Sequence, residues 1–266
     1  MSFRVSLKGK LSSILKTAVA NYVYEIRYGR IRIKRKGGLG FLTKIISRPS
    51  PEEEFLASID LEGRTIYDIG AYIGLLTIFF AKAAGPTGQV VAFEPNEENG
   101  FKIREHIRLN QVHNIKFLDF GIGDTRRESQ TLIVRRKSSA TGSMDEKIQS
   151  QIVREGDFKR LQINIDTLDG AICTYRLPKP DFIKMDIEGM EYPALLGMSQ
   201  TVQNYSPQFH IEIHGADEFC KCENIRRITD LFQSWGYSLW HVETRQDITI
   251  NNHTIAKVGH IFCRRP

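Results

Sequence analysis

Two short stretches of the sequence each place three ionisable side chains at alternate positions. The stretches are FIKMDIEG, residues 182–189, and FHIEIHG, residues 209–215. Their ionisable side chains are those of Lys184, Asp186, Glu188, His210, Glu212 and His214. Alternate residues of a strand share one face, so each trio points in one direction. Charged groups among apolar residues are costly unless they are paired, so these stretches indicate a functional site or a buried ion pair.

Carboxylates and imidazoles at strand ends can accept a proton from a reacting group. We predict catalytic roles for Asp186, His214, Lys184 and Glu188, with Asp186 at the strand tip as the principal candidate. Lys184 could instead form a purely structural ion pair with Asp186 or Glu212. Asp186 and Glu212, together with His214, could also bind Mg²⁺, which prefers oxygen ligands. We favour a metal-free hydrogen-bonded network that shapes the substrate pocket.

A third stretch, TIYDIGAYIGLLTIFFA at residues 65–81, leads from an apolar strand through glycines into an apolar helix. Gly70 and Gly74 permit a sharp turn and close approach of a ligand, and the helix N-terminus favours a negative group. Glu94 follows about twenty residues later, where an acid that binds both ribose hydroxyls is expected. Tyr72 replaces the middle glycine of a dinucleotide-binding turn, which counts against NAD. A nucleoside with a carboxylate tail, such as S-adenosylmethionine, fits this pattern better.

Strands and helices must alternate to position these stretches, and the apolar strands are nearly continuous. This pattern predicts a parallel sheet covered on both faces. We predict an α/β fold with a doubly wound, mostly parallel, seven-stranded sheet of Rossmann-like type and a basic N-terminal extension. YSLWHVE and VGHIFCR are predicted as a closing pair of strands. Residues 125–160 are polar, and RRKSSATGSMDEK within them is predicted to be a flexible loop.

Several of these segments resemble the FkbM-type S-adenosylmethionine-dependent methyltransferases. The resemblance covers roughly residues 52–243 and rests on DIGAYIGLLTIFFA, VVAFEPN, GIGD and, most specifically, FIKMDIEGMEYPALLG. It implies that Glu94 binds the ribose of the cofactor. It further implies cofactor-binding positions along the methionine end, its tail and the adenine, namely Asp68, Gly70, Ala71, Gly74, Tyr72, Gly121, Ile122 and Asp124. The family usually has Asn at the position of Tyr72.

Residues 1–50 carry twelve Lys or Arg side chains against the single acid Glu25, a net charge of +11, whereas the whole chain carries +6. We therefore divide the chain into a basic extension, residues 1–50, and a methyltransferase domain, residues 51–266. Residues 3–20 could form an amphipathic helix, and YEIRYGRIRIKRK alternates like a strand or hairpin. The extension is predicted to contact an anionic surface or acceptor. The alternatives are a solvated basic face, pairing with the acidic body, or packing over the body as a lid or dimer contact.

The remaining composition indicates a cytoplasmic protein, with peripheral attachment to a membrane as a variant of that prediction. No apolar run reaches the ~20 residues of a membrane span, and the four cysteines are scattered, as reduced thiols are. His106 and His113 are expected at the surface.

The predicted activity is O-methylation of a hydroxyl on a sugar, glycan or glycosylated metabolite. N-methylation of an amine or of RNA, and a non-catalytic cofactor-binding subunit, are the alternatives.

Overall fold

The computed structural model describes residues 21–37, 48–136 and 138–266. The predicted amphipathic helix at residues 3–20 lies outside these ranges. The strands are β1 (Val23–Tyr28), β2 (Ile31–Lys36), β3 (Thr65–Ile69), β4 (Gln89–Phe93), β5 (Ile115–Leu118), β6 (Gly121–Ile122), β7 (Arg127–Arg135), β8 (Ser138–Ser143), β9 (Phe158–Asp166), β10 (Phe182–Met185), β11 (Gln208–Glu212), β12 (Ser238–His241), β13 (Gln246–Ile248) and β14 (His260–Arg264). The α-helices are α1 (Pro51–Ser58), α2 (Leu75–Ala84), α3 (Glu97–Asn110), α4 (Glu146–Glu155), α5 (Leu168–Tyr175), α6 (Glu191–Leu196), α7 (Ser199–Tyr205) and α8 (Glu218–Ser234), and residues His253–Lys257 form a 3₁₀ helix.

The largest sheet has eight strands in the order β13-β12-β14-β11-β10-β3-β4-β5. The pairs from β11 to β5 are parallel, whereas β14, β12 and β13 are joined by antiparallel pairs. The sheet is therefore mixed, and it contains one strand more than the seven predicted. The additional strand, β13, has only three residues, which is too short to show the two-residue period by which a strand is recognised. YSLWHVE and VGHIFCR form the predicted closing pair.

The parallel strands are buried because helices cover both faces of the sheet. Tyr67 and Ile69 of β3 contribute to the core on one face, whereas Ile66 contributes to the core on the other. Both faces being apolar explains why these strands have nearly continuous hydrophobic sequences. Asp68 and Lys184 are directly opposite one another in the pairing of β3 with β10, so a buried carboxyl group and a buried amino group lie side by side.

Residues 121–166 contain a second, smaller sheet in the order β6-β9-β7-β8, and α4 connects β8 to β9. The prediction of a flexible loop at RRKSSATGSMDEK is wrong, because β8 and the start of α4 lie in this segment. Leu132 and Val134 of β7 form an apolar cluster with β9 on one face, and Ile133 packs against α4 on the other. The polar residues around this short apolar run concealed a strand that is buried on both sides.

The β1–β2 hairpin packs its alternating apolar face onto the body of the protein. Ile33 is completely buried, and Tyr28 contacts Phe79 of α2. The backbone N of Lys36 donates to Nε2 of His106, which is buried in α3, so the prediction that His106 is a surface residue is wrong. This part of the basic extension is therefore joined to the core. Within the described residues, no helix is both long enough and apolar enough to cross a membrane.

Candidate functional site

The loop between β3 and α2 is built around glycines with positive φ. Gly70 has φ 78°, and a Cβ at this position would lie 1.9 Å from the carbonyl oxygen of Asp186. Gly74, with φ 80°, is the N-cap of α2. Tyr72 also has a positive φ of 50°, and it is about one third exposed. The loop therefore passes so close to the end of β10 that only glycine fits at position 70.

Glu94 follows β4 and is held by three hydrogen bonds. Its Oε2 accepts from the backbone N of Tyr72 at 2.9 Å, and its Oε1 accepts from the backbone N of Asn96 and from Nδ2 of Asn99. Burial raises the pKa of Glu94 to about 7, because loss of hydration outweighs these hydrogen bonds. The carboxylate is thus fixed in position at the edge of a cleft and remains able to accept further hydrogen bonds.

The cleft beside Glu94 has a volume of about 720 Å³, including space open to solvent. Ile69 and Phe93, at the ends of β3 and β4, line it from the main sheet. The second sheet supplies an apolar wall that consists of Leu132, Val134, Met144, Ile163 and Ile165. Asp186 and Glu188 lie on the same cleft. A cleft with an apolar wall and a few carboxylates is the usual form of a small-molecule site.

The predicted cofactor-binding residues occupy different places around this cleft. Gly70, Tyr72, Glu94, Gly121 and Ile122 are on its lining. Asp68, Ala71, Gly74 and Asp124 are not. Asp68 is completely buried and accepts a hydrogen bond from Thr77, and Asp124 pairs with Arg127 at 2.8 Å. Asp68 therefore contributes a buried hydrogen bond with Thr77 and does not itself line the cleft.

Lys184 links the loop between β3 and α2 to the end of β10. Its Nζ donates to the carbonyl oxygen of Gly70 at 3.0 Å and lies 3.5 Å from Asp68 Oδ1 and 3.6 Å from Asp186 Oδ2. Burial alone would lower the pKa of Lys184, but the carboxylates of Asp186 and Asp68 outweigh burial and raise it. Lys184 is therefore a buried cation that neutralises two carboxylates and holds the loop.

His214 lies at the centre of four carboxylates. Its Nδ1 is 3.0 Å from Oε1 of Glu191, which is completely buried. Its Nε2 is 3.8 Å from Asp186, 3.9 Å from Glu188 and 3.6 Å from Glu212. The four residues for which a catalytic role was predicted, Lys184, Asp186, Glu188 and His214, are thus brought together at one end of the sheet.

The charges in this group depend on burial and on close partners. Burial raises the pKa of Asp186, and Lys184 opposes this only in part. Burial also raises the pKa of Glu188 to about 7, against the effect of His214. Burial would lower the pKa of His214, but Glu191 and the other carboxylates raise it to about 9. Near neutral pH, the site consequently pairs the His214 imidazolium with two carboxylates, those of Asp186 and Glu188, that bind protons more readily than usual.

Two groups of described residues could hold a metal ion: Asp186, Glu212 and His214, and separately Glu52, His210 and His260. Carboxylate oxygens of the first group suit Mg²⁺, whereas an imidazole nitrogen does not. The first group is therefore a poor Mg²⁺ site.

Sequence reasoning missed Glu191, which orients His214, and His260, which adjoins the same group. Nε2 of His260 lies 3.6 Å from Glu212 Oε2. Glu191 follows Glu188 in the segment that suggested the family, so its position there was the available signal. His260 is contributed by an antiparallel strand from the end of the chain, and no local spacing connects it with β11.

Comparison with known proteins assigns this sequence to a family. Residues 68–239 match the methyltransferase FkbM domain. The chain is 25% identical over 213 residues to the AMB antimetabolite synthetase AmbE of Pseudomonas aeruginosa, and the match covers 68% of this chain and 10% of AmbE. The chain thus spans only about a tenth of the length of that curated relative.

The chain is also similar to solved structures. The methyltransferase FkbM of Methylobacillus flagellatus has a TM-score of 0.50 and 17% identity, with 81% of this chain and 50% of that chain covered. The O-methyltransferase TomG of Streptomyces achromogenes, solved in complex with SAM, has a TM-score of 0.48 and 11% identity, with 83% and 82% covered. Because the match to the FkbM domain spans more than half of the sequence, the chain belongs to the FkbM methyltransferase family.

Proposed function

We propose that the protein is an S-adenosylmethionine-dependent methyltransferase that methylates a hydroxyl group on a sugar, glycan or glycosylated metabolite. The observation that carries this proposal is that one cleft contains both Glu94 and the pair Asp186 and Glu188. A group suited to ribose hydroxyls and groups suited to an acceptor proton therefore open onto the same space. Family membership supports the methyltransferase class.

The residues around the cleft fit S-adenosylmethionine. Glu94 offers a fixed carboxylate for the ribose hydroxyls, and Gly70, whose positive φ shapes the turn after β3, lies on the same cleft. Gly121 and Ile122 line the cleft where the adenine is expected. When bound, the cofactor supplies an electrophilic methyl group. Tyr72 stands where a dinucleotide-binding turn has its middle glycine, so the loop does not offer the close backbone approach that a pyrophosphate needs.

The acceptor hydroxyl needs a group that takes its proton during transfer. Asp186 and Glu188 reach the cleft, and their pKa values are raised, which makes them better bases than ordinary carboxylates. His214, held by Glu191, keeps a positive charge behind them and limits their mutual repulsion. Full ionisation of an alkyl hydroxyl is unnecessary, because orientation of the two reactants can contribute about 7–11 kcal/mol.

Two measurements test this function. Calorimetry should show that Glu94→Ala binds S-adenosylmethionine at least about tenfold more weakly, a change of about 1.4 kcal/mol. Glu97→Ala is the matched control, since Glu97 is an exposed acid three residues away.

Transfer of radiolabelled methyl groups should then be assayed against fractionated glycans, lipids and RNA. Unchanged affinity in folded Glu94→Ala would refute the cofactor site, and label found only in RNA or amines would refute the hydroxyl acceptor.

A further inference from the structure

A second group of potential ligands lies away from the cleft, where α1, β11 and β14 meet. Its members are Glu52 in the first turn of α1, His210 on β11 and His260 on β14. Each offers one ligand atom, and these atoms lie within 4.8 Å of one another. None of the three residues lines the cleft. The methyltransferase chemistry proposed above makes no use of this group.

His210 is the unexplained member of the group. Its side chain is 1% exposed, and neither of its ring nitrogens has a hydrogen-bond partner. Buried polar groups in native proteins nearly always have a partner, so a histidine with both nitrogens unsatisfied calls for one. Phe55 flanks its ring on one side, at 5.8 Å between ring centroids, and His260 lies at 4.8 Å. A small ligand bound among these side chains would supply the missing partner.

His260 is already oriented in the way that metal-binding histidines are. Its Nδ1 is 2.7 Å from Oε1 of Glu243, and Oε2 of Glu243 accepts from its backbone N. This leaves Nε2 directed towards Glu52 Oε1 at 3.4 Å and Glu212 Oε2 at 3.6 Å. A carboxylate on the far nitrogen of a ligating histidine fixes the ring and strengthens the ligand. Three carboxylates thus surround His260, which favours a cation at this place.

We propose that Glu52, His210 and His260 bind one divalent transition-metal ion of the Zn²⁺ type. Two imidazoles and a carboxylate are a common Zn²⁺ set, and bonds of about 2.0–2.1 Å place tetrahedral ligand atoms about 3.4 Å apart. The Glu52 to His260 distance matches this spacing. The two imidazole planes lie at 20° to each other, so His210 has to turn about its Cβ–Cγ bond to share the ion. The bound ion fastens the start of α1 to the antiparallel side of the sheet.

The test is titration of the full-length, chelator-treated protein with Zn²⁺ in a calorimeter, together with the melting temperature with and without Zn²⁺. One equivalent should bind and raise the melting temperature. Glu52→Gln and His210→Phe should each weaken binding at least about tenfold. Phenylalanine keeps the ring that packs on Phe55, and Glu52 is partly exposed, so both variants should fold. His113→Gln, which alters an exposed histidine, should bind as the wild type does.

Two further variants exclude other places for the ion. Asp186→Asn should retain the equivalent of Zn²⁺, since Asp186 belongs to the other group. Replacing Cys220 and Cys222 together by Ser should retain it too. If Asp186→Asn or the double cysteine variant loses Zn²⁺ while Glu52→Gln keeps it, the assignment is overturned. Absence of stoichiometric binding overturns it as well, and neither result depends on methyl transfer.

Discussion

Nζ of Lys184 donates a hydrogen bond to the carbonyl oxygen of Gly70 and lies between the carboxylates of Asp68 and Asp186. The strand that carries the predicted base is thereby tied to the loop predicted to hold the cofactor. A displacement of either one must disturb the other. Together with the pairing of β3 with β10, this buried ammonium group fixes the position of the predicted base relative to the loop.

Replacing Lys184 with Met should remove about 3–5 kcal/mol from the free energy of unfolding, because two buried carboxylates lose their counter-ion. Urea denaturation measures this loss. The control Lys179→Met alters an exposed lysine and should change stability by less than about 0.5 kcal/mol. Adding Asp68→Asn to Lys184→Met should restore part of the loss. Equal stability of Lys184→Met and the control would contradict the pairing seen here.

The substitutions Gly70→Ala and Gly85→Ala should have unequal effects. Both glycines have positive φ, so alanine is strained at either position; at Gly85, with φ 67° and ψ −171°, the backbone strain is on the order of 1–3 kcal/mol. At Gly85 nothing lies within 4 Å of an added Cβ, whereas at Gly70 the Asp186 carbonyl oxygen lies 1.9 Å away. Gly70→Ala should therefore be clearly less stable and bind cofactor more weakly. Thermal melts and calorimetry on both variants provide the comparison, and similar values for the two would argue against the close approach of loop and strand.

Glu94 should make stability depend on pH between about 4.5 and 7. Its pKa is raised from 4.5 to about 7 by burial, so the native state binds more protons than the unfolded state in that window. The Glu94 contribution to stability is thus full at low pH and decreases as the pH rises, by at most roughly 3 kcal/mol. Cofactor affinity should change in the opposite direction, since the ribose contact needs the carboxylate. Unfolding and binding curves from pH 4.5 to 8 test both trends, which Glu94→Gln should abolish.

Asp186→Asn and His214→Gln should keep cofactor affinity and lose turnover, roughly 10²–10⁴-fold for the general base. Asp119→Asn, which alters an exposed aspartate, is the control. Loss of cofactor affinity in either variant would mean that the roles are assigned wrongly.

We also expect no stimulation by Mg²⁺ after chelation. Recovery of activity on adding Mg²⁺ alone would instead make Asp186 and Glu212 metal ligands.

Anionic vesicles that contain phosphatidylserine should bind the protein through its basic extension, and binding should weaken steeply with salt. Each Lys or Arg near such a surface contributes about 1 kcal/mol, and the Debye length is about 8 Å at physiological ionic strength. Arg27, Arg32 and Lys34 are exposed on the hairpin. Their combined replacement by Gln should reduce sedimentation with vesicles and leave cofactor affinity unchanged. Vesicle binding that changes neither with salt concentration nor with these substitutions would count against a docking role.

Removal of residues 1–45 should destabilise the body, because it deletes the buried Ile33 and the contact of Tyr28 with Phe79. Deletion of residues 1–20 leaves the hairpin in place, and is the better test of what the first part of the extension does. The two truncations should differ in melting temperature. Equal melting temperatures would show that the hairpin adds little to the core.

Local patterns in the sequence predicted the parts of the fold that depend on one strand and its neighbour. The tip of a parallel strand lies at a known edge of the sheet, so Asp186 and His214 could be expected to meet before the structure was known. The helices α3 (Glu97–Asn110) and α8 (Glu218–Ser234), capped by Asn96 and Asp217, follow from periodicity and caps alone. Each of these features is encoded within one strand or helix and the residues next to it.

Features that depend on distant segments were not predictable in this way. His260 reaches Glu212 only because β14 enters the sheet antiparallel to β11. Ile133 of β7 is buried because α4 covers that face of the strand, which the sequence of β7 alone does not reveal. His106 is buried because a hairpin about 70 residues earlier in the chain lies over it. Tertiary contacts decide these cases, and no window of sequence contains both partners.

The contact between Gly70 and Lys184 joins positions 114 residues apart, which has a consequence for synthesis on the ribosome. The loop after β3 leaves the exit tunnel long before β10 is translated, and until then one side of β3 has no neighbouring strand. An unpaired edge of this kind invites association with other chains. Nascent chains that end before residue 182 should therefore need chaperone protection, and acquire their final loop only when β10 has been added.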